Sequence, residues 1–295
     1  MRIIVTGATG RVGAEIAQFV DQKAHQVVLA MRRRPDDSID FDTLRSKDLQ
    51  QPEKFGADTV LFDFAQAATY EPALKGADSL FLMRPPGVSD VDKRLKQIVE
   101  VAIAANVRQI VFLSVTGAEK NLLLPHRGTE DYIKSKGIAY TFLRASFFMQ
   151  NLSSVHRAEI KADREIFVPA GNGKTSFVDT RDVAAVAAKA LTEPGHERRA
   201  YALTGQAALT YYQVADIFSE VLNHPVTYAN PSLLRFVAKR LKEGNPLALT
   251  LVMSGLYTTA KLGLAGELSN DLTDILGRSP IPLRRFVEDY RSCWL

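Results

Sequence analysis

At 295 residues and 46% hydrophobic, the chain is long enough to bury a large core, as one big domain or as two lobes. Its net charge is +4, but 37 basic residues are dispersed among 33 acidic ones with no basic stripe interleaved with aromatics, so nucleic acid is not expected as a direct partner. A single cysteine, Cys293, excludes an internal disulfide framework and fits a reducing cytoplasm.

The chain begins on Arg2-Ile3-Ile4-Val5-Thr6, a short β-branched run of the kind that forms a buried parallel strand. A strand this early leaves no room for a signal peptide, which is the expectation here. Gly7-Ala8-Thr9-Gly10-Arg11-Val12-Gly13 follows, and then a segment with apolar residues at Val12, Ile16, Phe19 and Val20, the spacing of a helix. Strand, glycine-rich turn and helix together form a device for holding a pyrophosphate. The glycines let the backbone approach the phosphates, and the new helix offers unpaired N–H groups. The spacing is G-x-x-G-x-x-G, a departure from the usual G-x-G-x-x-G.

The second strand, residues 26–31, is followed by Arg32-Arg33-Arg34, with no acid before Asp36. An NAD-binding unit places an acid there for the ribose 2′-hydroxyl, whereas a guanidinium suits a 2′-phosphate. NADP(H) is therefore expected over NAD(H), with Arg32, nearest the strand end, as its ligand. Residues 36–56 form a polar, charged insert carrying a surface helix at most. Further strands are expected at 59–62, 79–83, 109–113 and 139–143, with a helical stripe at Val91, Leu95, Ile98, Val99, Ala102 and Ile103 and a helix near 128–136. The alternation predicts an α/β, Rossmann-type doubly wound parallel sheet, with ligands at the carboxyl ends of its strands. Gly7, Arg32, Asp63, Met83, Arg84, Ser114 and Arg144 fall there.

Beyond Arg144 the rhythm loosens. Residues 170–174 read as a turn at a hairpin tip, 183–191 as a capped helix, and 200–203 as one more strand. Thr210 caps a helix through Leu222, residues 225–228 form a short strand, and the remainder is helical. The expected division is an NAD(P)-binding domain over 1–150 and a smaller, mainly helical substrate lobe over 151–295, with about 180–204 returning to the first. The longest apolar stretch, 246–258, is too short to span a bilayer and contains Thr250 and Ser254, so no membrane partner is expected. No metal ligand set is assigned, and oligomeric state is left open.

The motifs Thr6-Gly7-Ala8-Thr9-Gly10-x-x-Gly13, Asp63, Ser114, Tyr140-Thr141-Phe142-Leu143-Arg144 and Ala170-Gly171-Asn172-Gly173-Lys174 with Asp182-Val183-Ala184 resemble the NmrA-like group of atypical short-chain dehydrogenases/reductases. The resemblance covers nearly the whole chain. Within the group, the stretch from Arg144 to Asn151, that from Tyr212 to Asp216, and Trp294 look most like the festuclavine/agroclavine dehydrogenase branch. The first half is also similar to bacterial quinone and triphenylmethane-dye reductases. The resemblance implies an NAD(P)H-dependent oxidoreductase with a small-molecule substrate or, alternatively, a non-catalytic redox sensor. It implies that Gly7, Thr9, Gly10, Arg11, Val12 and Gly13 cradle the pyrophosphate and that Arg32 takes the 2′-phosphate. Asp63 and the backbone of Phe64 then hold the adenine, and Leu82, Met83 and Arg84 pass along the ribose to the nicotinamide. Asp63 also reads as a helix cap, and Met83 as core packing.

Carbonyl reduction in such enzymes uses a Tyr with a Lys at i+4. Tyr132 and Lys136 have that spacing, but a helix running back down the sheet ends at its wrong edge, so the pair reads as a solvated helix face. Registering on the family's glutamate at Glu130 puts the lysine position on His126 and the tyrosine position on Leu122, which cannot donate a proton. A nucleotide-sugar epimerase would need that pair, so it is disfavoured. Ser114, as a hydrogen-bond donor near the nicotinamide, and His126, as a residue lining the site, remain as catalytic candidates, with a strand-end serine and a helix-flanking histidine as the plain alternatives. Phe147, Phe148 and Asn151 are the candidate substrate residues, or core. The expected reaction is hydride transfer to a flat apolar acceptor such as a quinone, dye or iminium, without a Tyr–Lys dyad.

Overall fold

The computed structural model describes residues 1–32, 57–85, 87–122 and 124–295; Arg33, Arg34 and the 36–56 insert lie outside the described residues. In chain order the first half forms β1 (Arg2–Val5), α1 (Gly13–Phe19), β2 (Gln26–Met31), β3 (Asp58–Leu61), α2 (Tyr70–Leu74), β4 (Ser79–Met83), α3 (Val91–Ala104), β5 (Gln109–Val115), α4 (Pro125–Ser135) and β6 (Ala139–Ala145). There follow β7 (Phe147–Phe148), α5 (Arg157–Ala162), β8 (Glu165–Ile166), β9 (Lys174–Val178), α6 (Thr180–Thr192), β10 (Arg199–Leu203), β11 (Ala208–Thr210) and α7 (Tyr211–Leu222). The chain ends with β12 (Thr227–Tyr228), α8 (Leu233–Lys242), α9 (Leu247–Lys261), α10 (Asp271–Leu276) and α11 (Leu283–Asp289). By its contacts it divides into two compact units. One comprises Met1–Ala145, Thr180–Leu203 and Asp274–Leu276; the other comprises Ser146–Asp179, Thr204–Thr273 and Gly277–Leu295.

The first unit is built on a seven-stranded sheet in the order β10-β6-β5-β4-β1-β2-β3, and every pairing in it is parallel. The central strands are continuous apolar runs because both faces are covered. Ile3, Ile4, Val5, Leu80, Phe81, Leu82, Ile110, Val111 and Phe112 are all fully buried. Tyr70, Leu74, Leu95, Ile98, Val99 and Ile133 of α2, α3 and α4 join one core cluster with Leu80, Ile110 and Phe112. The stripe expected on α3 is thus the face it buries. On the other side α1 lies against α6, and α6 against β4, β5 and β6. The chain runs outward from β1 to β3, then returns to place β4 beside β1 before running out the other way. That β1/β4 boundary is the switch point where such sheets bind ligands.

Strand ends differ from the sequence expectation by a residue or two. The fifth and sixth strands run on through Ser114 and Arg144, which pair with each other in the ladder. Both side chains are thereby set on the sheet rather than in the loops beyond it.

In the second unit β9 lies between β7 and β11, and β8 pairs with β12. The turn at 170–174 is therefore not a hairpin tip, because β8 and β9 have different partners. The turn is shaped by a close approach instead. A Cβ on Gly173 would stand 1.9 Å from the carbonyl oxygen of Ala260 on α9. Thr210 caps α7 as expected, accepting from the Gln213 N–H at 3.3 Å while the Gln213 side chain accepts from the Thr210 N–H at 2.9 Å. One polar cluster lies inside this unit. Glu159 accepts from Arg240 at 2.6 Å and meets His156 Nδ1 at 2.7 Å, while the Tyr257 hydroxyl lies 2.5 Å from His156 Nε2.

Trp294 closes the second core. Its ring meets Phe218 edge-on at 4.7 Å, and its Nε1 donates to the Leu152 carbonyl at 3.2 Å. Trp294→Ala is expected to lower stability by roughly 3–5 kcal/mol, the range for emptying a large aromatic site, read as a fall in the urea midpoint.

Candidate functional site

The glycine turn sits at the carboxyl end of β1, on the switch point. Thr6, fully buried, clamps it to the next strand: its hydroxyl donates to the Phe81 carbonyl at 2.9 Å and accepts from the Met83 N–H at 3.3 Å. Its own N–H reaches the Phe81 carbonyl at 3.0 Å. Gly7 has φ +64, and a Cβ there would lie 2.8 Å from Met83 Cγ. The Gly10 N–H donates to the Gly7 carbonyl at 2.7 Å. A Cβ on Gly13 would stand 2.4 Å from that same oxygen, so only glycine lets α1 start this close to β1. Gly10 is exposed, Thr9 and Arg11 are partly buried, and Val12 points its side chain into the core. The space a Cβ would need at Gly7 and Gly13 is taken by Met83 and by the Gly7 carbonyl, so the glycines set the start of α1 directly at the end of β1. A turn and helix start so placed at the switch point fit a pyrophosphate.

Arg32 lies exposed one residue beyond β2. Asp63 follows β3, and its two carboxylate oxygens accept from the Ala65 N–H at 2.9 Å and from Gln66 Nε2 at 3.0 Å. The carboxylate thus orders its own loop in the manner of an Asx turn. Phe64 is buried edge-on to Phe62, and its carbonyl accepts the Tyr70 hydroxyl at 2.7 Å. Leu82 is fully buried, and Met83 rests its side chain on Gly7. Arg84 is ion-paired to Asp92 at 2.5 Å.

On the neighbouring strands a buried carboxylate gathers two candidates. Glu130, on α4, accepts from Ser114 Oγ at 2.7 Å and takes Arg144 in a two-pronged grip, Nε at 3.0 Å and Nη2 at 2.7 Å. Arg144 also meets Glu119 at 3.2 Å. The Ser114 proton is therefore held by Glu130, so Ser114 is not the donor its strand-end place suggested, and the hydroxyl's remaining capacity is to accept. Arg144 was legible as a strand-end residue. That Glu130 organises both was not, since nothing in the spacing links a helix residue to two strands.

His126 occupies the first turn of α4, its ring 6.2 Å from that of Phe112. Burial, reinforced by the Arg84 guanidinium, pushes it down to about 4, against the opposing pull of Glu130 and Asp92. It is a neutral imidazole at physiological pH. Leu122, expected at the tyrosine position, is 79% exposed.

Tyr132 and Lys136 converge on a surface carboxylate. The Tyr132 hydroxyl donates to Glu100, and Lys136 Nζ lies 2.5 Å from the same group. The bond to Glu100 raises the Tyr132 hydroxyl above its ordinary value, the wrong direction for a proton donor.

Phe147, Phe148 and Asn151 belong to the second unit. Phe147 and Phe148 form β7 and pair with Phe177 and Val178 of β9, Phe147 also packing against that unit's core. Asn151 follows in a short 3-10 turn, and its carbonyl accepts from the His156 N–H at 3.0 Å.

A model of the NmrA-like family matches residues 1–257. The chain is 30% identical to the NAD(P)H azoreductase of Xenophilus azovorans, over 97% of this chain and 96% of that protein. It is 25% identical to the agroclavine dehydrogenase of Claviceps fusiformis, over 100% of this chain and 99% of that one. Among solved structures it is similar to the Citrobacter sp. triphenylmethane reductase complexed with NADP(H), with a TM-score of 0.84 and 25% identity over 98% of this chain and 99% of that one.

Tyr132→Phe and Lys136→Ala are each expected to leave NADPH-dependent turnover within a few-fold of the unaltered protein. General acid–base catalysis supplies about 10²–10⁴-fold, so a collapse of kcat/KM in either variant would give the pair a catalytic role.

Proposed function

The chain belongs to the NmrA-like family, and from that premise we propose that it is an NAD(P)H-dependent oxidoreductase, preferring NADP(H), that passes hydride to a flat apolar acceptor such as a quinone, a dye or an iminium ion. The observation that carries this reading is the turn at the β1/β4 switch point, where glycines at 7 and 13 let the backbone pack directly on Met83 and on the Gly7 carbonyl, so that α1 starts at the very end of β1. No observation favours the sensor alternative.

When bound, the dinucleotide supplies the hydride. Gly7, Thr9, Gly10, Arg11, Val12 and Gly13 hold its phosphates, Val12 through its backbone alone. Arg32 takes the 2′-phosphate with charge-assisted hydrogen bonds that a hydroxyl does not earn. Asp63 keeps a lone pair on each oxygen beyond those used by its own loop, and with the Phe64 backbone it meets the adenine. Leu82 and Met83 wall the ribose and nicotinamide, with Arg84 beside them. Ser114, its proton committed to Glu130, presents an acceptor to the carboxamide side, and Arg144 fixes that arrangement. Phe147, Phe148 and Asn151 are proposed to meet the acceptor, which flat aromatic walls suit.

His126 donates a neutral N–H toward the oxygen or nitrogen that gains an electron pair as hydride arrives. A neutral imidazole suits this role because its partner need not compete with a fixed positive charge. Protons that complete a reduced quinone come from water. An exposed leucine where a tyrosine would stand is consistent with acceptors that need no concerted proton.

NADPH oxidation against a panel of quinones, azo and triphenylmethane dyes and cyclic imines tests the reading, and turnover of none of them would overturn it. Arg32→Ala is expected to weaken NADPH by roughly 1.5–3 kcal/mol and spare NADH, measured by calorimetry. Equal weakening of both would remove Arg32 from the 2′-phosphate. His126→Ala is expected to lower kcat/KM about tenfold, the worth of one neutral hydrogen bond. Because the His126 value in the fold lies near 4 and so below the usual 6.5, the neutral donor is present throughout pH 6–8 and is lost only as pH falls toward 4. The pH profile should therefore show no histidine limb between 6 and 8.

A further inference from the structure

Helix α9 is apolar on the side water sees and hydroxylated on the side the core sees. Thr250, Ser254 and Tyr257 lie inward with Met253 and Ala260. Leu247, Leu249, Leu251, Val252 and Leu256 are exposed, Leu251 by 57% and Val252 by 60%. From 246 to 260 the sequence carries no charged residue. A helix at the surface of a water-soluble unit normally shows the reverse pattern. The neighbouring α8 packs against α9 and adds Leu234 and Leu241 to the exposed set. Single exposed leucines need no explanation, but this many on one helical hairpin mark a surface that meets another phase or molecule.

The charge is as uneven as the hydrophobicity. Residues 233–264 hold Arg235, Lys239, Arg240, Lys242 and Lys261 against the single acid Glu243, an excess equal to the +4 of the entire chain. Arg240 is turned inward onto Glu159. The other four stand at partly or fully exposed positions along the same hairpin.

We propose that the α8–α9 hairpin is a docking surface for an anionic lipid bilayer. Its leucines enter the boundary between headgroups and acyl chains, and Arg235, Lys239, Lys242 and Lys261 meet the lipid phosphates. No helix among the described residues is long and apolar enough to cross a membrane. A 15-residue helix lying flat in the interface has no need to cross, and buried apolar area with cationic attraction is what holds such helices. The shortness of the 246–258 stretch thus excludes spanning and not lying flat. Charge separates this occupant from a second copy of the chain. Self-pairing would bring two basic hairpins together, each with only Glu243 and the Asp163 that lies 3.8 Å from Lys239 to offset it, and the like-charge contact that remains is penalised. An anionic surface attracts Arg235, Lys242 and Lys261, and adds to the carboxylates Asp163 and Glu243 that Lys239 already meets at 3.8 and 4.0 Å.

Flotation of the full chain with phosphatidylcholine vesicles, with and without phosphatidylglycerol, tests this without reference to catalysis. Binding is expected to the anionic vesicles, to weaken with added salt, and to be near absent for phosphatidylcholine alone. Lys242→Glu, a change of two charge units, should lower the partition coefficient roughly thirtyfold, since each unit of charge near an anionic surface counts for about a factor of five. Val252→Asp should abolish partition. Both variants are checked for unchanged thermal unfolding and NADPH binding, so that loss of fold is not mistaken for loss of docking. Equal partition into both vesicle types would overturn the proposal, as would no flotation at all. If, in the latter case, light scattering gives a dimer that Val252→Asp splits, the face belongs to a second copy.

Discussion

The carboxyl edge of the sheet is built around one backbone oxygen, the carbonyl of Gly7. It accepts the Gly10 N–H at 2.7 Å, which closes the turn, and it occupies the space where a side chain on Gly13 would begin. The start of α1, the path of the turn and the distance between α1 and β1 all follow from keeping that oxygen where it is. Thr6 secures it from below by tying β1 to the end of β4, so the turn moves only if two central strands separate. A phosphate site needs this stiffness, because backbone donors bind an anion well only when they are already aimed.

A second fixed point is Glu130. A carboxylate with no exposed surface is costly unless paired, and here it is paired to Arg144 on β6 and hydrogen-bonded to Ser114 on β5. The ladder already sets Ser114 opposite Arg144, so Glu130 orders their side chains without having to bring the strands together. His126 lies one helical turn before it on α4. The same short helix therefore carries the group that organises two strand ends and the neutral imidazole beside them.

Much of this was legible in the sequence, for reasons specific to each part. Buried parallel strands are apolar without alternation, so Ile3-Ile4-Val5 and Leu80-Phe81-Leu82 announced themselves, and the glycines could be assigned to a turn from their place between strand and helix. Tyr132 and Lys136 stand on a crossover helix that runs back down the sheet, and both side chains meet the surface carboxylate of Glu100. The hairpin at 170–174 was misread because Gly171 and Gly173 signal a bend without naming its partner, and here the partner is the distant Ala260 carbonyl. The reach of Glu130 to Ser114 and Arg144 had no signature, since ion pairs between distant segments leave no periodicity. Arg33, Arg34 and the insert after them fall outside the described residues.

The return of β10 to the sheet has a consequence for how the polypeptide is made. β6 is finished at Ala145, but the strand that covers its outer edge begins only at Arg199, after β7, β8, β9 and α6 have been synthesised. During translation the nascent sheet therefore presents a bare parallel edge for some seconds, on the order of the time a ribosome takes to add a few dozen residues. An open edge is a template for any passing strand. Leu143 and Ala145 sit on that edge with the charged Arg144 between them, which makes the incomplete chain a poorer partner for its neighbours until Arg199–Leu203 arrives.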